Sequence, residues 1–311
     1  KELVTSKNIN TIYNLIPDKE YIIFVKNLEG ESNKLKVKTE FAAFILDIRE
    51  FGAVGDGKTV NTFAIQTAIL SAPENSIIEI RDGNYLTGPV LLKSNITINI
   101  AGNARLTALK EREMYPILPA SINKADRTFY LGSWEGEPAA CFASLFTGVS
   151  VNNVNITGEG TIDGNSDRET WWKDAKIKRI SWRPRTIFLT DCSNINIVGI
   201  NIENSPSWTL HPVFSSNLGF FDMKIRNPKD SPNTDGIDPE SCKNVSIIGV
   251  KFSVGDDCIA IKSGKGKIGR EIGIPSENIN IENCHMEFGH GGVVIGSEMS
   301  GGIKNVNIKN C

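Results

Sequence analysis

Paired cysteines, long apolar runs and an excess of either charge are all missing from this sequence, and each absence removes a class of protein. The six cysteines (Cys141, Cys192, Cys242, Cys258, Cys284 and Cys311) include no C-x-x-C pair, which argues against a zinc site. No apolar run approaches the roughly 18 residues of a membrane span, and Phe41–Leu46 is among the longest. Neither a membrane nor nucleic acid is an expected partner: 34 basic residues stand against 36 acidic ones, a net charge of −2 with no global pull on a polyanion. Such a partner would have to be held by a local group of cations. The chain also lacks an initial Met and a signal-peptide pattern. It starts at Lys1 and stops at Cys311 inside a repeat, as expected of a piece cut from something longer.

What is present suffices for a core, since hydrophobic residues are 40% and charged ones 23%. At about 150 residues per domain, the 311 residues fit two domains or one long repetitive one. Residues 1–40 alternate as strands at Tyr21–Val25 and Leu35–Thr39, with a hairpin turn at Asn27–Asn33. Leu15-Ile-Pro-Asp-Lys-Glu-Tyr21 resembles the tyrosine corner of a fibronectin type III module, in which the Tyr hydroxyl bonds back to the backbone. Part of such a β-sandwich is therefore expected over 1–40, with a second domain from 41 to 311.

In that second domain Asn61–Leu70 has helical spacing of Phe63, Ile65, Ala68 and Ile69, with Asn61 or Thr62 as a candidate cap. The nearby Gly55-Asp-Gly-Lys-Thr59 lacks the spacing of a phosphate loop. Elsewhere an Asn followed by an aliphatic residue recurs at Asn95, Asn153, Asn194, Asn217, Asn244, Asn278 and Asn305, the last five separated by 23, 27, 34 and 27 residues. Periods of this length with β-rich units imply stacked coils, and the Asn side chains can bond up the stack as a ladder. The expected fold is all-β: a right-handed parallel β-helix with a short N-terminal capping helix over its open edge. Residues 107–145 and 264–275 read as two large insertions. Cys192 and Cys242 stand two residues before ladder asparagines, which favours free thiols stacked in a core.

The repeat also locates chemistry. Asp256 and His290 each lie 12 residues after a ladder asparagine, Asn244 and Asn278, so they occupy equivalent positions in adjoining coils. Asp257 adjoins Asp256, and Asp235 precedes Asp256 by 21 residues, about one coil. Like charges stacked at the roughly 4.8 Å coil rise repel, and retaining one proton relieves them. A proton donor beside ionised carboxylates is what glycosidic hydrolysis needs. The flanking glycines Gly236, Gly255, Gly289, Gly291 and Gly292 are expected to admit a bulky sugar. His285 and His211 are read as structural.

Asn233-Thr-Asp-Gly236, Gly255-Asp-Asp-Cys258 and Gly289-His-Gly291 resemble, in order and spacing, the motifs of the pectin-hydrolysing polygalacturonase family of glycoside hydrolases. The resemblance extends over about 47–311 and takes in Phe51–Gly57, Tyr85-Leu-Thr-Gly-Pro89 and Gly289–Gly302. It implies the β-helix already inferred and cleavage of α-1,4 galacturonosyl bonds with inversion, without metal or other cofactor. Asp256 then resembles the proton donor, Asp235 and Asp257 the pair that activates water, and His290 the active-site histidine that tunes the donor. The family's Arg-x-Lys grip on the substrate carboxylate, one coil after the histidine, has no counterpart up to Cys311. Lys262 is the expected carboxylate contact, Lys265, Lys267, Arg270, Arg183 and Arg185 are unplaced, and Trp208 is a candidate sugar platform. A secreted or periplasmic monomer acting on polygalacturonate, from the chain end, is the overall expectation. Its rivals are a rhamnogalacturonan or xylogalacturonan hydrolase, a calcium-dependent pectate lyase, and a non-catalytic polysaccharide-binding β-helix.

Overall fold

Seven asparagines set the pitch of this molecule, whose computed structural model describes residues 2–124 and 127–311. Asn95, Asn153, Asn194, Asn217, Asn244, Asn278 and Asn305 all hold a φ between 52° and 61°, a left-handed turn that Asn tolerates far better than branched residues. From Asn153 onward, each of the six side-chain amides donates to the side-chain carbonyl of the asparagine one coil below, at 2.8–3.1 Å. The expected ladder is therefore real, and its members turn each coil into its next strand.

Those strands form a nine-stranded parallel sheet from Ile45–Asp47 to Ile303–Lys309. An eight-stranded sheet and a four-stranded sheet, both parallel, complete the three faces of the right-handed β-helix. Register places Ile78, Ile98, Ile156, Ile197, Phe220, Ile247 and Ile281 in one inward column, every one buried. Each such side chain contributes about 1.5–3 kcal/mol of burial, so no coil is stable without its neighbours. Ile308 continues the column on the last strand and is 51% exposed.

The helix Thr62–Ser71 packs Ile65, Ala68 and Ile69 into that core, beside the terminal strand Val90–Leu91 of the four-stranded sheet. Two details differ from expectation. Phe63 is 88% exposed, because it lies off the buried face. Asn61 makes no side-chain cap; its amide bridges Val54 and Thr59 and holds the preceding loop instead.

Three excursions leave the coils. The 107–145 insertion folds into short hairpins, and 264–275 carries an unexpected helix, Gly266–Ile272. A third, between Asp163 and Ile187, escaped the sequence reading, although the 41 residues from Asn153 to Asn194 signal it. Within 1–40, Glu20–Ile23 pairs antiparallel with Leu35–Lys38, and the Tyr21 hydroxyl accepts the Ile16 N–H at 2.8 Å. No second sheet covers this pair among the described residues. Ahead of it, Ile9, Thr11 and Tyr13 lie against Gly249, Asp222 and Gly199 on successive β-helix turns. All six cysteines are free, and all but Cys311 are buried. Among the described residues no helix is long and apolar enough to cross a membrane.

Candidate active site

The acidic residues singled out above lie on turns leading into the four-stranded sheet and its continuation. Backbone bridges align Leu210 with Ile237 and Ile237 with Ile259, and parallel pairing aligns Ile259 with Val293. Counting back three residues stacks Asp256 under His290. The His290 N–H donates to the Asp256 carbonyl at 2.8 Å, and Nδ1 lies 3.2 Å from Oδ1. Counting back two stacks Trp208, Asp235, Asp257 and Gly291. The coil-mate of Asp235 is therefore Asp257 rather than Asp256, because the coil there spans 22 residues, from 235 to 257.

All three carboxylates still converge, with one oxygen of each within 4.8 Å of the others. Asp235 is 4% exposed and its Oδ1 has no hydrogen-bond partner, whereas Asp256 and Asp257 are half-buried. Burial pushes the Asp235 carboxyl up to about 7; Lys262 opposes the shift, and Asp256 and Asp257 add repulsion. Asp257 is also raised, by burial and then by Asp256. Three oxygens this close have the spacing of metal ligands, but calcium takes 6–8 oxygens and Lys262 already supplies positive charge.

These groups line a cavity of about 300 Å³, together with Trp208, Asn233, Lys262, Lys265, Glu298 and, from the 107–145 insertion, Glu135. Lys262 is no exposed surface lysine. It is 7% exposed, with Nζ 3.6 Å from Asp238 and 3.4 Å from Glu298. Burial disfavours its charge, but Asp238, Glu298, Asp235 and Glu240 outweigh that and raise its pKa. Asp238 and Glu298 escaped the sequence reading. Asp238 stands three residues after Asp235 in Asn233–Glu240, and alternation there was the available signal.

Trp208 is not an open sugar platform. It is 3% exposed, stacked on Trp134 at 5.5 Å, which stacks on Trp182 at 4.5 Å. Lys262 and the Arg185 guanidinium each stand 4.5 Å from the Trp208 ring, so it forms a cavity wall. Arg183 and Arg185 are buried behind it. Arg183 donates to the carbonyls of Pro206 and Pro232 and to Asn233 Oδ1, fixing the turn that carries Asp235. Arg185 reaches His211 Nδ1 at 3.3 Å, and His211 Nε2 lies 2.9 Å from Glu240. Burial drives the His211 pKa well down, in keeping with a structural histidine. Lys265 pairs with Glu135 at 3.3 Å, and Lys267 and Arg270 lie on the 266–272 helix.

Gly236, Gly255 and Gly289 serve packing rather than sugar access, whereas a Cβ on Gly292 meets nothing closer than Met286 Cγ at 3.7 Å. A Cβ on Gly255 meets the Ser231 carbonyl oxygen at 2.2 Å, and one on Gly236 meets that of Cys258 at 2.3 Å. Adjoining coils approach too closely at these turns for any side chain.

Comparison with known proteins agrees with this fold. The profile of glycosyl hydrolases family 28 matches residues 70–311. A probable polygalacturonase of Vitis vinifera is 34% identical over 83% of this chain and 52% of its own length. An endo-polygalacturonase of Pectobacterium carotovorum subsp. carotovorum is 33% identical over 79% of this chain and 60% of its own. The crystal structure of a hyperthermoactive exopolygalacturonase from Thermotoga maritima superposes with a TM-score of 0.72 at 32% identity, covering 84% of this chain and 64% of that one. The chain thus spans about half to three-fifths of the curated relatives named here. On the extent of that match and the coil-by-coil placement of its motifs, the chain belongs to glycosyl hydrolase family 28.

Proposed function

We propose that this chain carries the catalytic β-helix of a polygalacturonase, hydrolysing α-1,4 galacturonosyl bonds of pectin with inversion. One observation carries the reading: Asp235, Asp256 and Asp257 converge in a single cavity beside the buried cation Lys262. Asp256, half-buried and touching His290, donates its proton to the departing glycosidic oxygen. Asp235 and Asp257, stacked in adjoining coils, hold the water and take its proton as it attacks the anomeric carbon. Lys262 is the main influence opposing burial at Asp235 and so keeps its ionised form accessible. Lys262 and Lys265 form the cationic side of the cavity, where a uronate carboxylate is held, and Trp208 is the wall behind.

The reading includes exo action, supported by Glu135 of the 107–145 insertion standing against Lys265 at the cavity edge. It also takes residues 1–40 as the end of a fibronectin type III-like module joined to a catalytic domain at 41–311, on the strength of the Tyr21–Ile16 bond. A monomeric, secreted or periplasmic enzyme is part of the same proposal.

Replacement Asp256→Asn should lower polygalacturonate hydrolysis by about 10²–10⁴-fold with an unchanged thermal transition. Near-normal turnover removes Asp256 from the donor role. Reducing-sugar release from polygalacturonate, set against rhamnogalacturonan and xylogalacturonan, separates the sibling hydrolases. The carboxylate spacing supports a second stereochemical reading, because pairs about 5–5.5 Å apart are typical of retaining enzymes and about 6.5–9.5 Å of inverting ones. The 4.8 Å here is measured between facing oxygens of three groups, not between the centres of two. NMR of the first product decides: the inverted anomer is expected, and a retained one overturns the mechanism.

A further inference from the structure

The outer face of the eight-stranded sheet changes character along the stack. In its middle, Arg105 pairs with Asp163 at 2.7 Å and with Glu203, so the acids there are neutralised. Toward the last coils the register aligns Asn201 with Lys224, Lys224 with Lys251, and Lys251 with His285. Ile225, Phe252 and Met286 alternate with them toward the core, so Lys224, Lys251 and His285 face solvent. Arg226 is exposed beside Lys224 on the same strand, and Lys229 lies 4.3 Å over the Phe288 ring. None of Lys224, Arg226 or Lys251 has an ion-pair partner among the described residues. The nearby Asp222 is already held by Thr11 and Lys7. Directly opposed like charges in a sheet are unfavourable, and the fold has no need of them.

A groove of about 530 Å³ opens on this face, lined by Glu203, Asn204, Arg226, Asn227, Ser253 and Glu287 among others. It shares no residue with the catalytic cavity. Arg226 is the cation of its lining, which also holds Glu287 and the Arg105-paired Glu203, while Lys224 and Lys251 lie on the strands beside it, in a chain of net charge −2. Cations repeated at the coil rise, about 4.8 Å, suit a polymer bearing one carboxylate per sugar and lying along the helix axis. The strand ending at Ser253 runs on within three residues to Asp256, so a polymer held here lies beside the cleft.

We infer that this basic face is a second binding surface for a polyuronate chain, outside the catalytic cavity. The inference rests on the polygalacturonate reading for the identity of the polymer. It is tested by native electrophoresis in gels containing long-chain polygalacturonate, with gels lacking polymer as reference. The double variant Lys224→Glu/Lys251→Glu should bind the polymer about 5-fold or more weakly, in a salt-dependent way. Its kcat/KM on trigalacturonate should stay within about 2-fold of the parent, because the face lies outside the cavity. The variant Lys36→Glu/Lys38→Glu makes the same charge change on the N-terminal hairpin and should bind as the parent does. Equal binding by parent and double variant, or equal loss in both variants, overturns the inference. Hydrolysis with unaltered retardation in the double variant refutes the surface and leaves the catalytic reading standing. Retardation that depends on Lys224 and Lys251 without hydrolysis does the reverse.

Discussion

Asp235 shows how one side chain couples stability to chemistry. Its carboxyl rises from 3.8 to about 7 on burial, so between those values the folded chain holds more protons than the unfolded one. Its contribution to stability is therefore present at low pH and is lost as pH rises through that window. At about 1.36 kcal/mol per unit the full cost is on the order of 4 kcal/mol, with the attraction of Lys262 already included in the shift. Asp235→Asn keeps the shape and removes the ionisation. Denaturant unfolding should show the variant more stable by about 1–3 kcal/mol near pH 8 and equal to the parent below about pH 3.5. The same gain at both pH values would show that ionisation is not the cause. Catalysis should fall steeply in the same protein, since the residue that weakens the fold is one that handles the proton.

Within a coil, the asparagine turn is an element whose failure should be felt. Asn244 sits at φ 56°, donates to Asn217 and accepts from Asn278 at 3.0 Å each. Ala at this position loses both bonds and must hold a left-handed turn, a conformational penalty of about 1–2 kcal/mol. Gly loses the bonds alone. Urea unfolding should therefore rank parent, Asn244→Gly, Asn244→Ala in decreasing stability; Ala matching or exceeding Gly would mean that the ladder bonds, not the backbone, set the turn. The turns carrying Asp235 and Asp256 are less forgiving. There a Cβ on Gly255 or Gly236 is driven into a carbonyl of a neighbouring turn, and no side chain gives way.

For the molecule as a whole, the question is how an anionic polymer is handled by a chain of net charge −2. Positive charge is concentrated rather than abundant: Lys262 inside the cavity, Arg183 and Arg185 buried behind it, and an exposed row along one sheet. Burial lowers Arg183 to about 9, with Arg185 reinforcing the shift, yet it remains charged at neutral pH. This arrangement supplies its cation from the protein, whereas a calcium-dependent lyase must recruit one. Degradation of polygalacturonate should accordingly survive EDTA and yield no product with the short-wavelength ultraviolet absorbance of an unsaturated uronate. Formation of such a product that EDTA abolishes and calcium restores would assign the Asp235, Asp256 and Asp257 cluster to a metal and replace hydrolysis by elimination.

Much of this was legible before any coordinates. The asparagine spacing announced the coils because a left-handed turn repeated every coil admits few residues, and the equal offsets of Asp256 and His290 announced their contact because register is inherited up the stack. Local pattern could not reveal what depends on distant chain segments meeting. Asp238 and Glu298 lie 60 residues apart and close on Lys262 only when three coils stack. Trp134 comes from an insertion to cover Trp208, which turned an expected platform into a wall. Asp235 stacks on Asp257 because one coil is a residue longer than the offset suggested. The sequence by itself determined the repeat, the turn chemistry and which carboxylates share a face, since these follow from backbone preference and periodicity. Only the tertiary structure decided which groups are buried, hence which carboxyl's ionisation is opposed by its surroundings and which cations stay free, because desolvation depends on what other coils provide.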